Sequence, residues 1–216
     1  MYEETLKAGL AALDLELDSQ QYSQLARYIA EIERFNPVYK LVGASGRDLV
    51  IRHILDSLSA AKTIESLLSQ STERRLVDLG SGAGLPGIPL AIALDRSTVT
   101  LVERMQRRVG FLRSAIVTSG LSERVTIVDR DLVELDGCFD VVTFRAFRPL
   151  VEILDLVSPI VADGGWVCAY KGQRLQLEEE LAAVRDQCTS QWSATIIGLE
   201  VPFLDAERTL CLLQKI

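Results

Sequence analysis

The stretch Leu76–Leu94, LVDLGSGAGLPGIPLAIAL, carries the residues with the clearest chemical potential. An apolar run reaches Asp78, glycines follow at positions 80, 82, 84 and 87, and a second apolar run begins. Glycines so spaced let a backbone turn tightly and approach a ligand with no Cβ in the way. Gly82, Gly84 and Gly87 satisfy G-x-G-x-x-G, the dinucleotide fingerprint, whereas Gly80, Gly82 and Gly84 satisfy G-x-G-x-G behind an acid. The two readings ask different things of the turn. A pyrophosphate needs free amide donors at a helix N-terminus and no adjacent carboxylate. S-Adenosylmethionine has no phosphate; it carries a sulfonium and an ammonium, which Asp78 suits. Pro86 and Pro89 also withdraw amide donors where a phosphate would need them. About 20 residues further on, the run TVTLVE ends in Glu103, placed to accept from ribose hydroxyls under either reading. The order strand, Asp78, glycines, helix, strand, Glu103 favours adenosylmethionine.

The acceptor is read near the end of the strand-like run FDVVTF. Methylation of exocyclic base amines commonly uses an Asn/Asp-Pro-Pro-aromatic turn there, and carbon methylation of pyrimidines needs a cysteine nucleophile. This chain has TFRAFRPL, with Arg145 and Arg148 and neither device; Cys138 lies before the strand, at its wrong end. Guanine N7 has an in-plane lone pair and no proton to lose. Its methylation is a displacement at the sulfonium methyl, in which positioning does most of the work. Arg145 is placed to anchor either the methionine carboxylate or an RNA backbone. Candidate substrate contacts are Asn36, His53, Arg107, Arg148 and Lys171. His53, the only histidine, lies in RHILDSL among Arg52, Asp56 and Ser57, and the chemistry does not require it as a base. Arg107 belongs to a cluster with Arg104, Arg108 and Arg113 that is either a solvated helix face or a phosphate-contact surface. Arg148 and Lys171, with Arg145 and Arg174, follow the fourth and fifth strand-like runs, at the sheet edge where ligands bind.

From Arg75 onward, strand-like runs (LVDLG, TVTLVE, RVTIVD, FDVVTF, GGWVCAY) alternate with helix-like ones (PGIPLAIAL, RRVGFLRSAIVTSG, LVEILDLVSPIV, LQLEEELAAVRDQ). That alternation predicts an α/β fold, a mostly parallel sheet with helices on both faces. The tail, SATIIGLEV then RTLCLLQ around a turn at Leu204–Ala206, predicts a closing hairpin. The expected sheet is therefore Rossmann-like and seven-stranded with one antiparallel strand, the class I S-adenosylmethionine methyltransferase layout. Upstream, Tyr2 to about Leu17 reads as one helix. A second starts near Asp18, where Gln21 completes a capping box. Its apolar stripe is Tyr22, Leu25, Ile29, Ile32 and Phe35, and Asn36-Pro37 should stop it. A third helical stretch spans about Arg47 to Leu68, broken once. Residues 1–70 are thus expected to form a helical extension packed on a methyltransferase domain of residues 71–216.

Bulk properties exclude some classes. Hydrophobic residues make up 48% of 216, ample for one core, and the net charge of −7 rules out a generic polyanion binder. Nucleic acid would have to be met by local basic patches. One histidine and four dispersed cysteines (138, 168, 188, 211) offer no metal site. Three of the cysteines lie in apolar, strand-like runs and are expected to be buried. The N-terminus lacks a basic then apolar leader, and no run approaches membrane-spanning length. A cytoplasmic protein with no membrane partner is expected.

The chain resembles, over nearly its whole length, the bacterial guanine-N7 methyltransferases of small-subunit ribosomal RNA, once called glucose-inhibited division protein B. The likeness rests on DLGSGAGLPGIPL at 78–90, RHILDSL at 52–58, RRVGFLR at 107–113, FDVVTFRAF at 139–147 and AYKGQ at 169–173. The Leu-Pro-Gly-Ile-Pro continuation is far more specific than a generic cofactor loop. The resemblance implies S-adenosylmethionine-dependent methylation of N7 of a guanine in 16S rRNA, the one usually numbered 527, with rRNA or the small subunit as partner. It implies cofactor contacts at Gly80, Leu85, Asp131, Leu132 and Arg145, joining Asp78, Gly82 and Glu103. A monomer is expected. Two departures stand out. The family often has Arg-x-Glu where this chain reads Arg130-Asp131-Leu132, and Asn-Leu-Thr where it reads Lys40-Leu41-Val42. The alternatives are an NAD-dependent oxidoreductase, opposed by Asp78 and the hairpin, and a non-catalytic binding protein on the same fold, suggested only by Leu132.

Overall fold

The computed structural model describes residues 2–216; Met1, the first residue of the expected extension, lies outside the described residues. Helix α1 (Tyr2–Ala12) ends earlier than its apolar pattern suggests, because Leu15 N bonds back to Leu10 O and Asp14 turns the chain at φ 51°. Helix α2 (Ser19–Tyr39) starts at the expected capping box, with Gln21 N donating to Asp18 Oδ1 at 2.7 Å and Asp18 N to Gln21 Oε1 at 2.9 Å. Its end differs from expectation, since the helix runs through Pro37 to a left-handed Lys40 cap. Pro37 sits in the final turn, where its missing N–H costs one bond, and Lys40 N still closes onto Asn36 O at 3.0 Å. Helix α3 (Gly46–Leu49) widens into a π-helical turn at Val50–Leu55, narrows to α4 (Asp56–Leu58), and breaks before α5 (Ala61–Leu68). The single break was legible; the π-helical turn was not.

The sheet has seven strands, β1 (Arg75–Leu79), β2 (Thr98–Val102), β3 (Val125–Val128), β4 (Phe139–Arg145), β5 (Val161–Lys171), β6 (Trp192–Gly198) and β7 (Thr209–Lys215). Their order is β3-β2-β1-β4-β5-β7-β6, with β1 to β5 parallel and β7 antiparallel to both of its neighbours. Alternate side chains feed two cores. Leu76, Leu101 and Val141 pack with α2, α5, α6 (Gly87–Ala93) and α7 (Gln106–Thr118), whereas Val77, Leu79, Val142 and Phe144 pack with α8 (Leu150–Val157) and α9 (Arg174–Gln187). That is the period-two burial of a sheet covered on both faces. Only two cysteines are buried as expected, Cys168 in β5 and Cys211 in β7; Cys138 is exposed before β4, and Cys188 is half-buried at the end of α9.

Two consequences position the site. The connections diverge between β1 and β4, so the crevice where such folds bind ligands opens at the carboxyl ends of those strands. Because β7 is antiparallel, its first residues arrive at that same edge. The N-terminal helices reach it too. Phe35 of α2 packs edge-on against Phe111 of α7 at 5.6 Å, and the buried Tyr28 hydroxyl donates to Ala83 O at 2.6 Å, bracing the glycine turn from behind.

Candidate active site

The turn between β1 and α6 is tightly wired. Glycines 80, 82 and 84 have φ of 65°, 59° and 84°, the left-handed region where side chains are disfavoured. Its amides are largely spent inside the protein. Ser81 N donates to Val102 O, Gly82 N to Glu103 Oε2, Gly84 N and Leu85 N to Ser81 O, Gly87 N to Asp78 Oδ2, and Ile88 N to Gly84 O. Pro86 has none to give. A pyrophosphate would find few donors here, whereas a cationic ligand needs none.

Asp78 departs from its expected place. Its side chain is fully buried beneath the turn and lines neither of the cavities described below. Oδ2 accepts from Gly87 N at 3.1 Å, while Oδ1 is buried with no hydrogen-bond partner among the described residues. Gly87 has no alternative at this point, since a Cβ there would lie 2.7 Å from Asp78 Oδ2 and 2.4 Å from Leu101. Asp78 therefore shapes the turn from beneath it. Burial raises its pKa to about 7. The sign of the consequence is fixed by linkage. The folded state holds this proton more tightly than the unfolded chain, so the contribution is present below about pH 4 and lost as pH rises through about 7. The unfolding free energy of the wild type, from urea titrations, should fall from pH 5 to pH 8 relative to Asp78→Asn by an amount on the order of a few kcal/mol. Parallel pH profiles for the two proteins would refute this.

A cavity of about 310 Å³ opens beside the turn at the ends of β2 and β3, lined by Gly80, Glu103, Met105, Arg108, Asp131 and Leu132 among others. Both Glu103 oxygens already accept amides, Oε2 from Gly82 at 3.0 Å and Oε1 from Met105 at 2.8 Å, so a ribose would share them through their remaining lone pairs. Asp131 caps the short 3-10 helix Leu132–Glu134 by accepting from Val133 N, and its other oxygen lies 3.5 Å from Arg104. The family's missing glutamate is thus met by an aspartate engaged in capping and a buried Leu132 at the cavity wall.

A second cavity, about 560 Å³, lies at the ends of β4 and β5. Ala146, Phe147 and Arg148 line both cavities and form the partition, with Arg148 stacked on the Phe147 ring at 5.3 Å. Five cationic side chains (Arg52, Arg145, Arg148, Lys171, Arg208) face two carboxylates (Asp56, Glu180) here, a local excess of positive charge in an acidic protein. Asp56, buried, accepts from Arg145 Nη1 at 2.6 Å on Oδ2 and from Arg208 Nε at 3.0 Å on Oδ1. Arg145 Nη2 meets His53 Nδ1 at 3.2 Å. Burial, and then the Arg145 charge, push the His53 pKa down to about 4. Lys171 pairs with Glu180 at 2.6 Å, and the Tyr170 hydroxyl donates to Ser57 O at 2.7 Å, holding α4 against β5.

The expected residues are therefore split. Gly80, Glu103, Asp131 and Leu132 line the smaller cavity, His53, Arg145 and Lys171 the larger, and Arg148 both. Gly82 accompanies them in the turn, but Leu85 is buried in the core rather than on a cavity wall. Asn36 and Arg107 reach neither cavity. Asn36 braces the loop after α2, donating to Ala44 O and accepting from Val42 N, and Arg107 donates to Tyr39 O and stacks on its ring. Sequence reasoning missed Arg208, Phe147 and Tyr170, and treated Asp56 only as a polar neighbour. The hairpin was the signal for Arg208, because an antiparallel strand must start at the ligand edge.

The lining suits S-adenosylmethionine: an amide-poor turn over a buried acid, a nucleoside-sized cavity on one side and a basic cavity on the other. Comparisons agree. Residues 21–211 match the family described as rRNA small subunit methyltransferase G. The ribosomal RNA small subunit methyltransferase G of Laribacter hongkongensis is 36% identical over 212 residues, covering 96% of each chain. That of Acinetobacter baylyi is 31% identical over 216 residues, covering 98% of this chain and 96% of its own. Among solved structures, the tRNA (m1A58) methyltransferase of Aquifex aeolicus matches with a TM-score of 0.59 at 14% identity, over 74% of this chain and 69% of its own, a likeness of fold. With a class I methyltransferase sheet and a turn suited to S-adenosylmethionine, this chain belongs to the rRNA small subunit methyltransferase G family.

Proposed function

We propose that the protein moves a methyl group from S-adenosylmethionine to N7 of a guanine in 16S ribosomal RNA, as a cytoplasmic monomer. In this reading residues 71–216 bind the cofactor and the helices within 1–70 complete the RNA site. No helix among the described residues is long and apolar enough to cross a membrane. Gly80, Gly82, Glu103, Asp131 and Leu132 hold the nucleoside side of the cofactor, with Asp78 and Leu85 acting on it through the turn they support. When bound, S-adenosylmethionine supplies an electrophilic methyl. The chain's own part is to place the acceptor against it and exclude water.

One observation carries the choice of acceptor. Each carboxylate and the tyrosine lining the larger cavity is already engaged by a partner within the protein. Asp56 is held by two arginines, Glu180 by Lys171 and Leu150 N, and the Tyr170 hydroxyl is engaged, its pKa pushed well above 10. His53 Nδ1 takes a hydrogen bond from Arg145, and its pKa is low. An acceptor that already offers a lone pair, such as guanine N7, fits such a site. An NAD-dependent reaction fits less well, for the glycine turn lacks free amides.

Methyl transfer to 16S rRNA and to small subunits, with the product mapped by strand scission at N7-methylguanine, tests the proposal. Label confined to one guanine is the expected outcome; active cofactor turnover on another atom or RNA would replace it. Because the rim is basic within a protein of net charge −7, rRNA affinity should fall steeply with salt, with a log–log slope of about −0.7 per phosphate contacted. A flat salt response would remove the larger cavity from the RNA site.

A further inference from the structure

Within the larger cavity, His53 has an unusual commitment. A guanidinium only donates, so the ring nitrogen 3.2 Å from Arg145 Nη2 must carry the lone pair. The neutral ring then has its proton on Nε2. That nitrogen makes no hydrogen bond among the described residues and belongs to a half-buried side chain that lines the cavity. The groups facing the ring are Arg145, Arg52, Arg208 and Asp56; burial first, and then the excess of positive charge over the Asp56 carboxylate, keep it neutral. The protein thus presents one fixed donor that is neither a cation nor an acceptor.

We infer that His53 is the specificity residue for the acceptor base, donating Nε2–H to guanine O6 so that the adjacent N7 faces the methyl donor. The inference rests on the guanine-N7 reading above. On the major-groove edge guanine shows two acceptors, N7 and O6, whereas adenine shows N7 beside an amino group. A donor-only nitrogen pairs with O6 and meets the adenine amino group donor to donor. Neutrality matters for the reaction as well. The N7 lone pair forms the new N–C bond as the S–CH3 bond breaks and its electron pair stays on sulfur. No proton moves, and positive charge passes to the purine. A histidinium beside O6 would oppose that charge; a neutral imidazole does not. The Arg145–Asp56–Arg208 network holds the Arg145 guanidinium against Nδ1 and so fixes the tautomer, with the two arginines sharing one buried carboxylate.

The test pairs protein variants with base analogues. Small-subunit particles are assembled on rRNA carrying guanine, 2-aminopurine or adenine at the modified position, and kcat/KM for methyl transfer is measured with wild type, His53→Ala and His53→Gln. 2-Aminopurine keeps N7 and lacks O6. Wild type should prefer guanine to 2-aminopurine by about 10- to 100-fold, the effect of one lost hydrogen bond in a desolvated site. In His53→Ala the guanine rate should fall by a similar factor and the preference should collapse; His53→Gln, which keeps an N–H donor, should recover part of both. Binding of adenosylhomocysteine by His53→Ala should match wild type, showing an intact fold. Wild type that methylates 2-aminopurine as well as guanine, or His53→Ala with undiminished preference, overturns the inference even if that variant folds poorly, because the wild-type comparison needs no variant. Wild type with no N7 product on guanine would instead overturn the proposed function.

Discussion

Asp56→Ala should destabilise the protein by about 3–5 kcal/mol and abolish methyl transfer, the largest loss expected from any single side chain at the site. The carboxylate is buried and is the shared counter-ion of two arginines, one from β4 and one preceding β7. It lies in α4, so it ties the N-terminal helices to both strands. Removing it leaves two guanidiniums in a half-buried cavity with nothing between them, which costs much more than an exposed ion pair is worth. Arg145 would then be free to turn away from His53, and the fixed tautomer would go with it. Urea unfolding of Asp56→Ala, Arg145→Met and the double variant measures the coupling. The double variant should be less destabilised than the sum of the singles, because the second change removes a charge the first had orphaned. A loss below about 1 kcal/mol for Asp56→Ala would mean that the network does not hold these elements together.

How far the sequence could be read follows from where the information lies. Period-two and helical patterns are local, and they delivered the seven strands, the closing hairpin and the capping box at Asp18. The glycine turn was legible because left-handed backbone demands glycine whatever the surroundings. Side-chain partners are not local. Asp56 and Arg208 are 152 positions apart and meet only because β7 reverses direction and the π-helical turn at Val50–Leu55 leads into α4. Asn36 has the polarity of a ligand contact, yet its amide is used by Ala44 and Val42, close in the chain. An acid next to glycines looks like a ligand group, so the sequence alone points Asp78 at a cation. Its spacing to Gly87 instead puts the carboxylate under the turn. Residue type suggested chemistry in each case; burial decided who received it.

The second large effect concerns Gly80, where cavity shape and backbone conformation coincide. Gly80→Ala should unfold more readily by about 2–5 kcal/mol and lose measurable adenosylhomocysteine binding. Two independent costs combine. The residue sits at φ 65°, which costs a residue with a Cβ roughly 1–2 kcal/mol. The new Cβ would also lie 2.2 Å from Cδ2 of Phe147, an overlap that typically costs about 1–3 kcal/mol through displacement of the ring. Phe147 is the partition between the two cavities, so its displacement spoils the crossing point from the nucleoside side to the acceptor side. The double variant Gly80→Ala/Phe147→Ala, compared with Phe147→Ala alone, separates the terms. It should be rescued from the overlap yet retain the backbone strain, leaving affinity low. If Gly80→Ala binds adenosylhomocysteine like wild type, the turn does not approach the cofactor at this residue. If the double variant binds like wild type while the single does not, the ring overlap alone is responsible and the left-handed backbone is not under strain.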